Sequence, residues 1–394
     1  MDLEDFRWLL TDEGRRLLET ATRLAVEHAG DPVRTATALR RGSDPAPAPG
    51  RAAAALTQVD LRARASVKFG ADAARMFFTP EGLEQATRSR VAAHRAARVA
   101  LSSPASVLDL GCGIGGDLLA LSRAGLTVAG IDRDELRVEV AGANLRALGL
   151  GGAVRLADVA DLDLDAFGVV FADPARRNAR GRVFDVDGWS PPWSFVLELL
   201  GRPSCVKVAP GIPHDLLPAG VEAEWVSDDG DVKEAALWSP HLAAARRRAT
   251  VIRGSGLATL TDDDDPGAAP VLPVGRCLYE PDGAVVRAGL VTAVADAVHG
   301  ELVDEHIAYV TSDEAFTTPF ARSYEVLEEL PYKERALRAA LRARGVGRLT
   351  IKKRGVDVVP EELRRRLSLR GDGEATLVMT RVAGKGTALL VRPF

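Results

Sequence analysis

A glycine-rich turn between a short apolar strand and a helix is the feature that most constrains the fold of this chain. The stretch Val107–Asp117 (VLDLGCGIGGD) contains it, and Gly111, Gly113 and Gly116 have the spacing G-x-G-x-x-G. Glycines let the backbone pass close to a nucleotide-like ligand, and the new helix offers free N–H groups. The stretch therefore predicts an α/β fold with a ligand site at the end of its first strand.

Strand and helix patterns alternate after this turn. Apolar strands at Leu126–Ile131, Ala153–Leu156 and Gly168–Ala172 are separated by helical segments, which indicates right-handed crossovers and a parallel sheet. Cys205–Ala209 predicts a fifth strand. Strand patterns within 222–238 flank Asp-Asp-Gly-Asp, a hairpin turn sequence, so an antiparallel pair ends the parallel sheet.

The length allows two or three domains. Residues 1–102 have helical patterns and are predicted to form a helical N-terminal unit. Residues 103–254 carry the alternating pattern, and residues 275–394 have the mixed pattern of a second α/β domain. Asp262–Asp265, followed by proline and glycine, predicts a solvated linker between these two domains.

Charge and cysteine content limit the function classes. The formal net charge of −4 is no signature of a nucleic-acid binder, but residues 332–394 carry 16 Lys/Arg against 6 Asp/Glu. Three cysteines without ligand-like spacing favour a reducing compartment and no metal site. The acidic start lacks the features of a signal peptide, and no apolar run is long enough to span a membrane. We therefore expect a cytoplasmic protein.

Two classes of ligand compete for the glycine-rich turn. Asp132 lies 21 positions after Gly111, where a dinucleotide-binding protein places an acid for the ribose. Asp109 and Asp117, however, flank the turn, and two carboxylates would repel a pyrophosphate. They would attract a ligand with an ammonium and a sulfonium group. S-Adenosylmethionine has both groups and no phosphate, so a nicotinamide dehydrogenase is the less favoured alternative.

Aspartates follow or end four successive strands. The carboxyl ends of strands in an open α/β sheet share one edge, where ligands bind. Asp132 is placed to accept hydrogen bonds from both ribose hydroxyls, and Asp158 to accept one from the adenine amino group. Any one of the four could merely cap a helix, whereas four together favour a site. The four are Asp109, Asp132, Asp158 and Asp173.

These motifs resemble those of the class I S-adenosylmethionine-dependent methyltransferases. Val107–Gly115 is similar to the first motif of that family, Gly130–Asp132 to its ribose-binding strand end, and 222–238 to the reversed last strand of its sheet. The resemblance covers about residues 70–253. It implies a seven-stranded Rossmann-like sheet, methyltransferase activity and S-adenosyl-L-methionine as the cofactor.

The resemblance also implies roles for individual residues. Asp109 would lie near the methionine end of the cofactor, Asp132 would hold the ribose and Asp158 the adenine. The glycines of the turn would pack on the cofactor. The expected cofactor-binding residues are Asp109, Gly111, Gly113, Gly115, Asp132 and Asp158.

The acceptor side is predicted where the fourth strand ends. Many nucleic-acid amine methyltransferases carry an Asp/Asn-Pro-Pro-aromatic motif there, whose acid or amide holds the amino group while the ring stacks on the base. This chain keeps Asp173 and Pro174 but has Ala175 and Arg176 in place of the proline and the aromatic residue. We expect Asp173 to position and deprotonate the acceptor, and Arg176 to stack on a base or bind a phosphate. The predicted catalytic residues are Asp173, Pro174 and Arg176; the alternative is that Asp173-Pro174 forms only a rigid turn.

The outer parts of the chain extend the resemblance. Met76–Ala86 (MFFTPEGLEQA), Glu224–Ser227 and Lys233–Ala235 are similar to a bacterial and archaeal group related to trimethylguanosine synthase. That group joins the methyltransferase core to a C-terminal THUMP-like domain, and THUMP domains are associated with RNA binding. Lys352–Arg354 and Arg364–Arg366 are basic clusters that either bind phosphates or form solvated faces.

The sequence thus predicts a helical N-terminal unit, a methyltransferase core and a THUMP-like domain. We expect methylation of a base nitrogen in structured RNA, with tRNA the favoured class. One alternative is a methyltransferase that acts on a small molecule or a protein. Another is an RNA-binding protein with a vestigial methyltransferase fold.

Overall fold

The structure is a computed structural model that describes residues 1–42, 48–174, 177–178, 181–182 and 192–394. The chain divides into two compact units, each of which is described by itself. The first unit comprises residues 1–208, 218–221 and 237–243, and the second comprises 209–217, 222–236 and 244–394. No helix in these described ranges is long and apolar enough to cross a membrane.

The first unit begins with helices whose starts follow capping rules. The hydroxyl of Thr11 accepts the N–H of Gly14, that of Thr79 accepts the N–H of Gly82, and Pro80 occupies the first helical position. Apolar side chains of the first four helices, among them Leu17 and Ala54, form a shared core. The helices are α1 (Leu3–Leu9), α2 (Asp12–Glu27), α3 (Pro32–Arg41), α4 (Pro49–Phe69), α5 (Pro80–Gln85) and α6 (Ser89–Leu101).

A parallel sheet covered by helices forms the rest of the first unit. Its strands are short and apolar, and β1 pairs in parallel with both β2 and β4, so that Leu110 is level with Ile131 and Ala172. Parallel pairing with this register brings the carboxyl ends of the strands to one edge. The elements are β1 (Val107–Leu110), α7 (Gly116–Arg123), β2 (Val128–Asp132), α8 (Glu135–Leu148), β3 (Ala153–Leu156), β4 (Val169–Ala172), the two-residue strands β5 (Arg177–Asn178) and β6 (Gly181–Arg182), α9 (Trp193–Leu200) and β7 (Ser204–Val208).

The strand order confirms the predicted α/β fold with a Rossmann-like sheet and shows two strands more than the seven that were predicted. Seven strands have the order β3-β2-β1-β4-β7-β9-β8, and two further strands, β10 and β11, continue the sheet after β8. The predicted hairpin turn lies at Asp229 and Gly230, which both have positive φ. β10 pairs in parallel with β8, and β11 pairs antiparallel with β10. These strands are β8 (Glu222–Asp228), β9 (Asp231–Trp238), β10 (Arg247–Arg253) and β11 (Gly256–Thr261).

A seven-stranded sheet with helices forms most of the second unit. Its order is β13-β14-β12-β15-β18-β17-β16, and neighbouring strands pair antiparallel except for β16 with β17. Leucines of α12 and α13, among them Leu337 and Leu363, share a core with the strands β16 and β17. The elements are β12 (Cys277–Pro281), α10 (Gly283–Ala288), α11 (Val291–Ala297), β13 (Glu301–Asp304), β14 (Ile307–Ser312), β15 (Ala321–Leu330), α12 (Glu334–Ala343), β16 (Val346–Lys353), α13 (Pro360–Leu367), β17 (Gly373–Val382) and β18 (Lys385–Pro393).

The acidic stretch after β11 is anchored to neighbouring elements. Asp262 accepts the backbone N–H groups of Arg246 and Arg247, and Asp265 pairs with the Arg247 guanidinium at 3.4 Å. Asp265 also accepts the hydroxyl of Thr292. Asp263 and Asp264 are exposed, as the prediction of a solvated linker expects, whereas Asp262 and Asp265 are held by partners that are distant in sequence. The division into three domains at the predicted boundaries remains a prediction.

Candidate cofactor and acceptor site

The glycine turn leaves open space beside its backbone. Gly111, Gly113 and Gly115 have φ values of +74°, +57° and +89°, a left-handed conformation that favours glycine. A Cβ atom added at Gly111 or Gly113 would meet no other described atom within 4 Å. At Gly115 it would lie 3.3 Å from the Cβ of Ala141. Gly111 and Gly113 therefore have room for a ligand, whereas Gly115 serves the packing of the turn on α8.

Asp109 is a buried acid with an unsatisfied carboxylate oxygen. The residue is 1% exposed, and its Oδ2 atom accepts no hydrogen bond from any residue that the structure describes. Burial raises the pKa of Asp109 well above its usual range, and the negative charges of Asp117 and Asp173 raise it further. A cationic donor placed here would reverse that shift, as the ammonium group of a methionine moiety would.

Asp132 connects the end of β2 to the glycine turn. Its Oδ2 accepts the N–H of Gly113 at 2.9 Å and its Oδ1 accepts the N–H of Asp134 at 3.0 Å. A carboxylate oxygen has two lone pairs, so each of these atoms retains the capacity to accept a hydroxyl hydrogen. The geometry is compatible with the predicted ribose contact, which remains a prediction.

Asp158 lies in a more exposed setting than the other acids. It follows β3, the edge strand of the sheet, and forms an ion pair of 2.7 Å with Arg133. The hydrogen bond from Arg133, together with the N–H of Ala160, lowers the pKa of Asp158. Both groups already hold this carboxylate, and its predicted contact with adenine remains a prediction.

The predicted acceptor residues fall partly within the described structure. Asp173 follows β4 with its side chain 28% exposed, and Pro174 is buried beside it. Arg176 lies outside the described residues. The ammonium of Lys207, on β7, approaches the Oδ2 atom of Asp173 to 2.6 Å. The sequence contains one signal for Lys207, a lone charge within an apolar strand, but nothing that names its partner.

Further polar side chains link this ion pair to the glycine turn. The hydroxyl of Thr87 accepts a hydrogen bond from Lys207 at 3.1 Å and donates one to Asp117 Oδ2 at 2.8 Å. Arg95 binds the other oxygen of Asp117, and its guanidinium lies 4.6 Å from the centre of the Phe171 ring. Thr87 and Arg95 come from the helical N-terminal part of the chain, and no local sequence pattern indicates that they reach the site.

The motif at 76–86 packs directly on the glycine turn. Asn144 on α8, fully buried, donates to the carbonyls of both Phe77 and Ile114 and accepts the N–H of Phe77 at 2.7 Å. Gln58 on α4 forms a matching pair of hydrogen bonds with the backbone of Phe78. A Cβ at Gly82 would collide with Ile114, so α5 lies against the turn. These buried amides fix one wall of the site.

These features together form a candidate cofactor site. Open space lies beside Gly111 and Gly113, and the buried carboxylate of Asp109 has an oxygen that no described residue satisfies. An acid also ends the second strand, at Asp132. The residues present therefore fit a cofactor with an ammonium, a sulfonium and a ribose. The fold and the site define the class: an S-adenosylmethionine-dependent methyltransferase with a Rossmann-like sheet.

Three family models match parts of this chain. The model of a methyltransferase domain matches residues 107–177, which include the glycine turn. The model described as THUMP domain-like matches residues 321–393, and a domain of unknown function matches residues 2–65. The predicted THUMP-like character of the C-terminal part is thereby confirmed.

Whole-chain relatives agree with the family models. Two proteins of Mycobacterium tuberculosis, from strains CDC 1551 / Oshkosh and ATCC 25618 / H37Rv, are each 40% identical over 350 residues, which cover 84% of this chain and 95% of each relative. Both are described as uncharacterized S-adenosylmethionine-dependent methyltransferases. The chain belongs to this S-adenosylmethionine-dependent methyltransferase family, and its cofactor is S-adenosyl-L-methionine.

A solved structure shares the fold over nearly the whole chain. The crystal structure of a putative methyltransferase from Porphyromonas gingivalis W83 matches with a TM-score of 0.74, over 96% of this chain and 98% of that chain. The sequence identity is 23%, so this likeness concerns the fold alone.

Proposed function

We propose that this methyltransferase modifies a base nitrogen of structured RNA, with tRNA the favoured class. The observation that carries the proposal is the THUMP-like match at residues 321–393, on the same chain as the methyltransferase core. THUMP domains are associated with RNA binding, and an RNA-holding domain joined to a methyl-transfer domain accounts for this combination. A small-molecule acceptor would leave the second domain without a role.

The charges of the C-terminal part support an RNA partner, because only some of its basic side chains are neutralised by acids. Several arginines are neutralised by acids, as Arg348 is by Glu374 at 2.6 Å and Arg344 by Glu328 at 2.6 Å. Another group within residues 332–394 is exposed, and its side chains form neither an ion pair nor a hydrogen bond with any described residue, so it remains available to phosphates. This group, which we call the unpaired basic set, consists of Lys333, Arg335, Lys353, Arg365, Arg370 and Lys385.

The acceptor chemistry requires little beyond alignment. The bound cofactor supplies a methyl group on a cationic sulfonium, so the protein has to hold an unprotonated nitrogen in line with it. We assign to Asp173 the task of accepting a hydrogen bond from the acceptor N–H and taking up the proton that the nitrogen loses. Pro174 would hold the turn rigid, and Arg176 would stack on the base or bind a phosphate.

We assign the cofactor to the glycine turn and the acids around it. Gly111, Gly113 and Gly115 would shape the backbone against the cofactor, and Asp109 would bind its ammonium group. Asp132 would hold the ribose hydroxyls and Asp158 the adenine. Calorimetry with S-adenosylmethionine checks this assignment, because binding that Asp132→Ala leaves unchanged would contradict it.

Methyl transfer into RNA tests the acceptor. Labelled S-adenosylmethionine, the full-length protein and total RNA from a strain that lacks the protein would be combined, and the nucleosides analysed. We expect one methylated base to appear with the wild-type protein and not with Asp173→Ala. In a whole extract, label that resists ribonuclease and is found in protein or small molecules would favour the alternative acceptor classes.

A further inference from the structure

Lys207 is a charged side chain within a fully buried strand. All residues of β7 are buried, and the Lys207 side chain is 8% exposed. An ammonium group in such a place is unfavourable unless other groups compensate its charge. Parallel pairing places Val206 level with Ala172, so the next residues along these two strands, Lys207 and Asp173, are neighbours at the edge of the sheet. The strand register therefore places the ammonium group of Lys207 beside the carboxylate of Asp173.

Thr87 fixes the direction of the Lys207 ammonium. A threonine hydroxyl has one proton to donate, and Thr87 donates it to Asp117 Oδ2 at 2.8 Å. Its lone pairs are then left for Lys207 Nζ at 3.1 Å. Arg95 holds the other oxygen of Asp117, so Asp117 is itself fixed. The result is a continuous chain of contacts from the glycine turn through Thr87 and Lys207 to Asp173.

The two oxygens of Asp173 differ in their surroundings. Lys207 contacts Oδ2, and the Asp173 side chain is 28% exposed whereas that of Lys207 is 8% exposed. Oδ1 of Asp173 has no hydrogen bond to any residue in the described part of the chain. A carboxylate held through one oxygen from the buried side keeps the other oxygen for an incoming N–H group.

We propose that Lys207 is the positioning residue for Asp173 and that Thr87 is the positioning residue for Lys207. Lys207 fixes the orientation of the carboxylate and balances its charge, so that Oδ1 meets the acceptor nitrogen. Thr87 links this pair to Asp117 at the start of α7. This link holds Asp173 at a fixed position relative to the glycine turn. The inference rests on the proposed role of Asp173 and not on the chemical class of the acceptor.

The test compares Lys207 variants with and without Asp173. The variants are Lys207→Met, Lys207→Arg, Asp173→Asn and the double variant of Lys207→Met with Asp173→Asn. Lys233→Met is the control, because Lys233 lies on β9 and pairs there with the exposed Asp231. The acceptor is the unfractionated extract of a strain that lacks the protein, so that macromolecular and small-molecule acceptors are both present. Transfer of labelled methyl is measured at saturating S-adenosylmethionine, and the Kd for the cofactor is measured by calorimetry.

We expect Lys207→Met to lower the transfer rate by about tenfold or more while the cofactor Kd changes by less than about threefold. Lys207→Arg should restore part of the rate, because it restores the cation. In the Asp173→Asn background the Lys207→Met change should have almost no further effect, which is the signature of two residues acting as a unit. A rate unaffected by Lys207→Met, or an equal loss in both backgrounds, would overturn the inference.

Thr87 provides a second, independent variant should Lys207→Met fail to fold. Thr87→Val keeps the shape and removes the hydroxyl, and we expect it to lower the transfer rate by roughly threefold to tenfold. Thr87→Ser should recover most of the rate. A Thr87→Val protein with the wild-type rate would contradict the inference. Ribonuclease and protease treatment of the product separately reports the acceptor class, so a failure of the RNA proposal is recognised apart from a failure of this one.

Discussion

The proposed role of Asp109 in cofactor binding is in conflict with the stability of the fold. Burial raises the pKa of Asp109. Between the usual pKa of aspartate and this raised value, the folded chain therefore keeps a proton that the unfolded chain has released. Its contribution to stability is complete below the usual pKa of aspartate and is lost as the pH rises through the raised value. We expect Asp109→Asn to increase the free energy of unfolding at pH 8 by about 1–3 kcal/mol, since the amide has no charge to bury.

The same Asp109 substitution should impair the cofactor site. Asparagine cannot supply a negative charge to an ammonium group, so we expect the Kd for S-adenosylmethionine to rise by about tenfold. Denaturation at pH 5 and pH 8 and calorimetry measure the two effects. Asp263→Asn, at an exposed position, is the control. A variant that is less stable than the wild type at pH 8 and binds the cofactor normally would contradict this account of Asp109.

Gly113 allows the cost of backbone strain to be separated from the cost of filling the cofactor space. An alanine with left-handed φ costs about 1–2 kcal/mol at any position. Gly125 has a φ of +82°, and a Cβ there also meets no described atom within 4 Å, but it lies in the turn after α7. We expect Gly113→Ala and Gly125→Ala to destabilise the fold to a similar extent. Only Gly113→Ala should weaken binding of S-adenosylmethionine, by about tenfold or more, as calorimetry would show.

Helix α5 shows how one element depends on a side chain from another. The ammonium of Lys68, at the end of α4, donates to the carbonyls of Leu83, Glu84 and Ala86 at 2.7, 2.8 and 2.9 Å. The last carbonyls of a helix lack partners within the helix and attract cations. α5 packs on Ile114 through Gly82, so its end is tied to the glycine turn.

We therefore expect Lys68→Met to loosen α5 and, through it, the glycine turn. Loss of charged hydrogen bonds should increase amide exchange in residues 80–88 by about tenfold or more and weaken cofactor binding by roughly threefold. Hydrogen-exchange mass spectrometry and calorimetry provide the measurements. Lys233→Met should change neither. Unaltered exchange in that segment of the Lys68→Met protein would show that other contacts suffice to hold α5.

The elements also show which parts of the structure can be predicted from the sequence. The strands near the glycine turn are predictable because each has a local apolar run, and the acids at their ends follow from the shared direction of parallel strands. Lys207 is visible as an unusual residue, but its partners Thr87 and Asp173 lie 120 and 34 residues away along the chain. Contacts of this kind depend on tertiary packing, which no local pattern encodes. The anchoring of Asp262 on β10 is unpredictable for the same reason.

The charge of the whole molecule conceals an uneven distribution. The formal net charge is −4, yet residues 332–394 are strongly basic. Within that stretch the ion pairs separate arginines that are already neutralised from those that are not. If RNA binds this part of the chain, the unpaired basic set should carry most of the phosphate contacts, because a paired arginine releases fewer counterions.

Salt dependence tests this expectation on the full-length protein. We expect the double variant Arg365→Ala/Arg370→Ala to weaken tRNA binding. It should also reduce the magnitude of the slope of log Kobs against log salt concentration by about 1–2, because each removed cation removes about one phosphate contact. Arg348→Ala, which removes an exposed arginine that Glu374 neutralises, should alter the slope much less. Fluorescence anisotropy at several salt concentrations measures both. Equal slope changes in the two proteins would mean that ion pairing within this domain does not decide which cations meet RNA, and a wild-type slope near zero would exclude a phosphate-directed interface altogether.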